Sequence, residues 1–343
     1  MKIARALSLF MLALLIAPLL RADVTLRYTN DIKAGASSGP LLQFLSKAKN
    51  PFISQSSLVQ VKGSQAYATT GSYVTIMDFS KQLITLIDPE HKQYTTVYMK
   101  DYADQVLSSL PGTQPATPAD AQKFADLIKT SFSSDKTGKT DTILGIQVEE
   151  TLLTLTMDMT PPAGAPDAPA GAPASPPQHL MRMEIHLWTA TPSEIERQPA
   201  LQELVKTYGS DTNAVLNPES VIQKTFTQLP GMGADFAKLM DTFSKAKAIT
   251  LKTEIEMYSP MLVNALKSMP TDGQAPHADV DPEAPMMEID VNAVELSTAP
   301  IADSVFQVPD DCHVTTVPDF LHALLQSMNP PQAGQAAVNP PTQ

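Results

Sequence analysis

Leu58-Val59-Gln60-Val61-Lys62, Gly63-Ser64, Gln65-Ala66-Tyr67-Ala68-Thr69: two β-forming segments flank a two-residue turn that contains glycine, the pattern of a hairpin. The pattern continues without a break. Gly71-Ser72 leads into a strand over 73–79, Ser80-Lys81 turns the chain, and 82–87 forms the next strand. Asp88-Pro89-Glu90-His91 is a turn with proline where type I favours it, and 92–99 closes the series. Turns this short leave no room for crossover helices, so these strands form an antiparallel meander.

Outward from the meander the same reading organises the chain. Residues 24–29 alternate apolar and polar side chains and predict a half-buried strand. Residues 41–48, 101–110 and 119–132 predict helices; the last carries Phe124, Leu127, Ile128 and Phe132 on one face after a Thr117-Pro118 start. Residues 140–159 predict strand, with Gly145 marking a turn and Leu153, Leu155, Met157 and Met159 facing one way. The 160–178 stretch is built from Pro, Ala and Gly and cannot pack a core, so it reads as a disordered insertion. Beyond it, 181–188 predicts strand, while 192–208, 218–229 and 233–246 predict helices. Strands resume at 249–257, 285–296 and 304–308, a helix covers 319–328, and 329–343 reads as a disordered tail. Strand-rich ends with helical insertions predict a single α+β domain over 23–328.

The first 22 residues read differently. Lys2 and Arg5 precede an apolar run over 6–20, and Arg21-Ala22-Asp23 follows. A basic start, a short apolar middle and a small residue before a polar stretch describe a secretory signal peptide. The run is shorter than the roughly 20 residues that span a bilayer. Cleavage is expected between Ala22 and Asp23. No cysteine follows the run to accept a lipid, so the mature chain is expected in the periplasm or outside the cell, without stable membrane insertion. The alternative for this segment is an uncleaved anchor.

Composition narrows the function classes. Sixteen methionines among 343 residues favour an adaptable interior. Losing Lys2, Arg5 and Arg21 takes the net charge from −12 to −15. So acidic a chain, without a basic stripe, is repelled by phosphate backbones, and nucleic acid is excluded as a partner. Cys312 is alone, so no internal disulfide forms. Its neighbours Asp310-Asp311 raise a thiol pKa, whereas a nucleophile needs it lowered, and His313 on an extended segment points to the other face. Cys312 reads as a buried structural thiol.

No motif supports catalysis, and neither a cofactor nor a metal is expected. Glu149-Glu150 on a strand point to opposite faces and cannot cooperate. Asp279, Asp281 and Glu283 alternate beside His277, but the glycine and closing glutamate of a calcium loop are missing. The six histidines include no i, i+4 pair of the kind that builds zinc sites; His91 lies in a turn and His186 on the polar face of a strand. No Gly-x-Ser-x-Gly turn or phosphate-cradling glycine loop occurs.

What remains is apolar surface. Residues 82–87 carry large apolar groups on both faces, unlike a strand with one wet side. Met77, Leu83, Ile84, Leu86, Met99, Leu155 and Met157 are the candidate lining of a cavity between sheet and helices. The plainer reading of these residues is a core sealed by the inserted helices.

Three stretches carry a resemblance. Ile76-Met77-Asp78, followed by Ile84-Thr85-Leu86-Ile87-Asp88-Pro89-Glu90-His91-Lys92-Gln93-Tyr94, resembles an uncharacterised family of exported bacterial proteins with a strand pair of the form imdl…kk…ylldpekkty. Thr140-Asp141-Thr142-Ile143-Leu144-Gly145 resembles that family's t-x-x-i-l-G stretch, and Phe306-Gln307-Val308-Pro309 its closing F-x-V-P. The family is similar to the LolA/LolB-like outer-membrane lipoprotein carriers. The resemblance implies a curved antiparallel half-barrel whose concave face is covered by helices and can hold lipid. The chain departs from it in the 160–178 insertion and the 192–246 helical segment. The expected function is therefore a non-catalytic binding protein for a lipid or acyl ligand. The alternative is an envelope structural or interaction module that uses the Pro-rich insertion and acidic surface.

Overall fold

The computed structural model describes residues 23–34, 56–109, 127–159, 178–208, 249–261, 263, 281 and 283–328. The expected signal peptide, the helices at 41–48, 218–229 and 233–246, the bulk of the Pro-rich insertion and the tail at 329–343 lie outside them. So do His277 and Asp279 of the acidic loop.

The meander forms as its turns dictate. After β1 (Val24–Ala34) come β2 (Ser56–Lys62), β3 (Gln65–Thr70), β4 (Tyr73–Asp78), β5 (Leu83–Asp88) and β6 (Gln93–Tyr98), each antiparallel to the one before it. The turn after β5 is held by Asp88, whose buried carboxylate accepts from the Glu90 and His91 backbone N–H groups and lies 2.7 Å from His91 Nδ1. Helix α1 (Met99–Ser109) follows at once.

A second meander contains β7 (Ile128–Ile143), β8 (Ile146–Met159), β9 (Gln178–Ala190), β10 (Thr250–Tyr258) and β11 (Met287–Ser297). Leu144-Gly145 joins β7 to β8 with both residues at positive φ (53° and 76°), the backbone a two-residue hairpin requires. Helices α2 (Pro192–Arg197) and α3 (Pro199–Tyr208) leave β9. A 3-10 turn (Asp303–Phe306), β12 (His313–Val314) and α4 (Val317–Met328) end the described chain.

Among the described residues, 12 strands form one sheet in the order β12-β6-β5-β4-β3-β2-β1-β11-β10-β9-β8-β7, with β12 and β7 at its ends. The sheet is large, unclosed and mixed, because β12 runs parallel to β6. One antiparallel sheet was the expectation; the parallel pair arises because the chain returns along the outside of β6 after crossing the sheet's back.

Two cores lie on the two faces of the first meander. On one face Val61, Met77, Ile84, Leu86, Val97 and Met99 pack with Val106 of α1, Leu201 and Leu204 of α3, and Phe320 and Leu321 of α4. On the other, Ile76 and Ile87 pack with Ile301 and Phe306 from the segment after β11. This explains the doubly apolar strand at 82–87: the chain covers both of its faces itself.

Three local expectations are corrected. Residues 128–132 belong to β7, not to a helix, because Ile128 and Phe132 pair across to Met159 and Leu155 of β8. The helix expected over 192–208 breaks at Gln198, whose extended backbone (φ −112°, ψ 113°) is what a following proline imposes. The strand expected at 304–308 is the 3-10 turn that seats Phe306 in the second core.

Because Ile84 and Ile87 are buried on opposite faces, Ile84→Ala and Ile87→Ala are each expected to cost about 2–5 kcal/mol. Urea denaturation of both variants checks this. A loss confined to Ile84→Ala would mean that the post-β11 segment does not seal the second face.

Candidate functional site

Strands β8 to β11 and the far half of β1 are in continuous register, so alternate residues line up in rows across the sheet. One face is apolar. Leu155, Met183, Met257 and Met287 form one row, and Leu153, Ile185, Ile255, Ile289 and Ile32 the next. Phe132 of β7 extends the first row beyond Leu155. Leu153 and Leu155 are buried, while Met183, Ile185, Ile255, Met257, Met287 and Ile289 keep intermediate exposure.

The opposite face of the same strands is charged. Glu184, Glu256 and Glu288 sit directly across from one another, and the next row holds His186, Glu254, Asp290 and Asp31. Its most enclosed member is Glu150, with a side chain only 1% exposed. Opposite Glu150 the register of β7 slips between Lys136 and Thr140, and Thr137-Gly138-Lys139 bulges out with Gly138 at φ 77°. The bulge delivers two donors. Thr137 Oγ1 donates to Glu150, Lys139 Nζ lies 3.1 Å from its carboxylate, and His186 Nδ1 lies 2.8 Å away. Burial pushes the Glu150 pKa up, but these hydrogen bonds and the Lys139 charge outweigh it and hold the carboxyl below its ordinary value.

Neighbouring groups are just as firmly placed. Trp188 Nε1 donates to Glu254 at 3.0 Å, and Lys252 Nζ lies 5.4 Å from the centre of the Trp188 ring. Arg182 stacks 4.1 Å from the Tyr258 ring centre and pairs with Glu184 at 3.2 Å. Tyr258 donates its hydroxyl to Glu256; burial and then this hydrogen bond push its pKa up to about 12.

The structure divides the candidate cavity lining among three places. Met77, Ile84, Leu86 and Met99 are buried in the helix-covered core. Leu83 is half-buried on the other face of β5. Leu155 and Met157 belong to the apolar face of the second meander. A shallow depression of about 430 Å³ lies between α2, α3 and the end of β11, but its one charged side chain, Arg197, is already paired with Glu194 at 2.6 Å.

Glu149 and Glu150 do point to opposite faces, as expected, with Glu149 exposed and Glu150 buried. What the spacing of Glu149-Glu150 hid is the partnership of Glu150 with His186. Two short signals carry it: Thr-Gly-Lys within a strand, and Glu-x-His on the strand alongside. Cys312 is partly buried against the second core.

No helix among the described residues is long and apolar enough to cross a membrane. No protein-family model matches the chain, and no curated protein matches its sequence.

Burial, then the Asp311 charge, raises the Cys312 thiol pKa, while Lys92, 3.0 Å from Asp311, opposes them. Asp311→Asn removes the negative charge and releases Lys92, so alkylation of Cys312 by iodoacetamide at mildly alkaline pH is expected to accelerate. An unchanged or slower rate would show that Asp311 does not control the thiol.

Proposed function

We propose that this protein is exported and binds an apolar ligand, an acyl chain, without catalysis, holding it against the methionine-rich face of β8 to β11. The observation that carries this reading is the in-register pair of rows, with Met183, Met257 and Met287 side by side and Ile185, Ile255 and Ile289 beneath them. Methionine is unbranched and polarisable, and it accommodates chains of varied shape. Roughly ten buried methylenes at about 0.8 kcal/mol each bring ~8 kcal/mol, the scale of micromolar binding before association costs.

Export is part of the proposal. A cut after Ala22 leaves Asp23 as the first residue, and its carboxylate accepts from the Ile301 backbone N–H at 2.7 Å, directly before β1. The resemblance to lipoprotein carriers supplies the finer architecture: a curved half-barrel with helices over its concave face. In this reading the ligand lies away from the helix-sealed core, on the second meander.

Native mass spectrometry of the exported chain is expected to find retained lipid, and a fluorescent fatty acid to bind saturably. Met257→Asp, which sets a charge in the middle of the row, is expected to weaken that binding roughly 10-fold or more. Thr85→Ala, in the first meander, is expected to leave it intact. Protein that retains no lipid and takes up no fatty acid would overturn the proposal.

A further inference from the structure

We infer that Glu184, His186 and Glu256 form a binding site for a divalent transition-metal cation of the Zn²⁺ class, on the charged face of β9 and β10. Glu184 and His186 are two apart on β9 and so share a face, and Glu256 of β10 lies directly opposite Glu184. One ligand atom from each lies within 4.8 Å of the other two. Tetrahedral zinc at about 2.0–2.2 Å from its ligands holds them roughly 3.3–3.6 Å apart, so side-chain adjustment alone closes the site.

The histidine is prepared as a ligand. Its Nδ1 lies 2.8 Å from the Glu150 carboxylate, which pairs with Lys139 at 3.1 Å and is placed to accept the N–H. That tautomer leaves the Nε2 lone pair for a metal. A carboxylate behind a ligating imidazole is the usual supporting contact in such sites, and here it is buried and fixed by Thr137 and Lys139.

The carboxylates are oriented but not used up. Arg182 engages Oε1 of Glu184 and Tyr258 engages Oε2 of Glu256, so one oxygen of each remains. Glu184, Glu256 and Glu288 face one another along one row, and like charges directly opposite destabilise a sheet. Arg182 offsets part of that repulsion; a divalent cation between Glu184 and Glu256 offsets more. All three ligand residues have intermediate exposure, which gives an ion access and leaves a fourth position for water. One imidazole with two carboxylates suits Zn²⁺ better than Ca²⁺, which takes oxygen ligands throughout.

The test uses the untagged mature chain, stripped with chelator and titrated calorimetrically with ZnCl₂, with Co²⁺ absorption as a second readout. One ion per chain is expected. His186→Gln and Glu256→Gln are each expected to weaken binding roughly 10-fold or more, and Glu150→Gln, which spares every ligand, by about 10-fold to 100-fold. His91→Gln and Cys312→Ser are expected to change nothing. Circular dichroism confirms that each variant folds. Absence of Zn²⁺ binding, or binding that survives in folded His186→Gln and Glu256→Gln, overturns the site.

Discussion

The ladder between β1 and β11 is the constraint on which the rest of the sheet depends. The two meanders are each built from neighbours in sequence, and among the described strands β1 joins them in the sheet, pairing with β2 on one side and β11 on the other. Its first residues fix the junction: Val24 is fully buried, Leu26 nearly so, and Lys62 reaches across to the Ile301 carbonyl and to Asp303. Arg27 and Glu295 pair across the ladder, some 268 residues apart in the chain. Closing so long a loop yields no contacts until it is complete, so this ladder carries the largest loop-closure cost among the strand pairings described. The β11 bulge at the Arg27/Tyr28 step then lets Tyr28 turn into the core, where its hydroxyl donates to the Thr250 carbonyl.

Once joined, the meanders solve the burial problem differently. The first is covered on both faces, by α1, α3 and α4 on one side and by the post-β11 segment on the other. The second divides its faces by chemistry. Strict alternation on β9 sends Met183, Ile185 and Leu187 one way and Glu184, His186 and Trp188 the other. The charged face is balanced mostly by neighbours on the same or adjacent strands: Arg182 with Glu184, Lys252 with Glu254, Lys33 with Asp290. Such partly exposed pairs contribute little to stability. Their effect is to make a dense row of acids tolerable.

How far this was legible in the sequence depended on distance along the chain. The first meander was readable because its alternation and its turns are local, down to the two-residue turn at Gly63-Ser64. Strand β7 was not, for a geometric reason: Ile128 and Phe132 are four apart, a spacing that shares a face in a helix and in a strand alike. The serines and threonines between them did not break the tie; pairing with Met159 and Leu155 did. The Glu150–His186 contact was hidden more deeply. It depends on the register of β8 against β9, which pair across the Pro-rich insertion, and no local pattern specifies that register. The apolar rows were half visible for the same reason: Leu155 and Met157 could be placed on a face, but not beside Met183 and Met257.

That register is itself protected by the contrast between the faces. A one-residue slip of β9 against β8 and β10 would carry His186 and Glu184 into the Ile185 and Met183 rows and expose the methionines among the acids. Glu150 raises the penalty further, because a slip would leave a buried carboxylate without His186 while Thr137 and Lys139 stayed with the β7 bulge. Removing one partner from a buried charged network costs several kcal/mol, far more than any single exposed pair contributes. The apolar face alone would fix alternation but not position, since leucine, isoleucine and methionine exchange places at little cost. Glu150 and His186 distinguish one register from the next, and through them the rows of both faces are aligned.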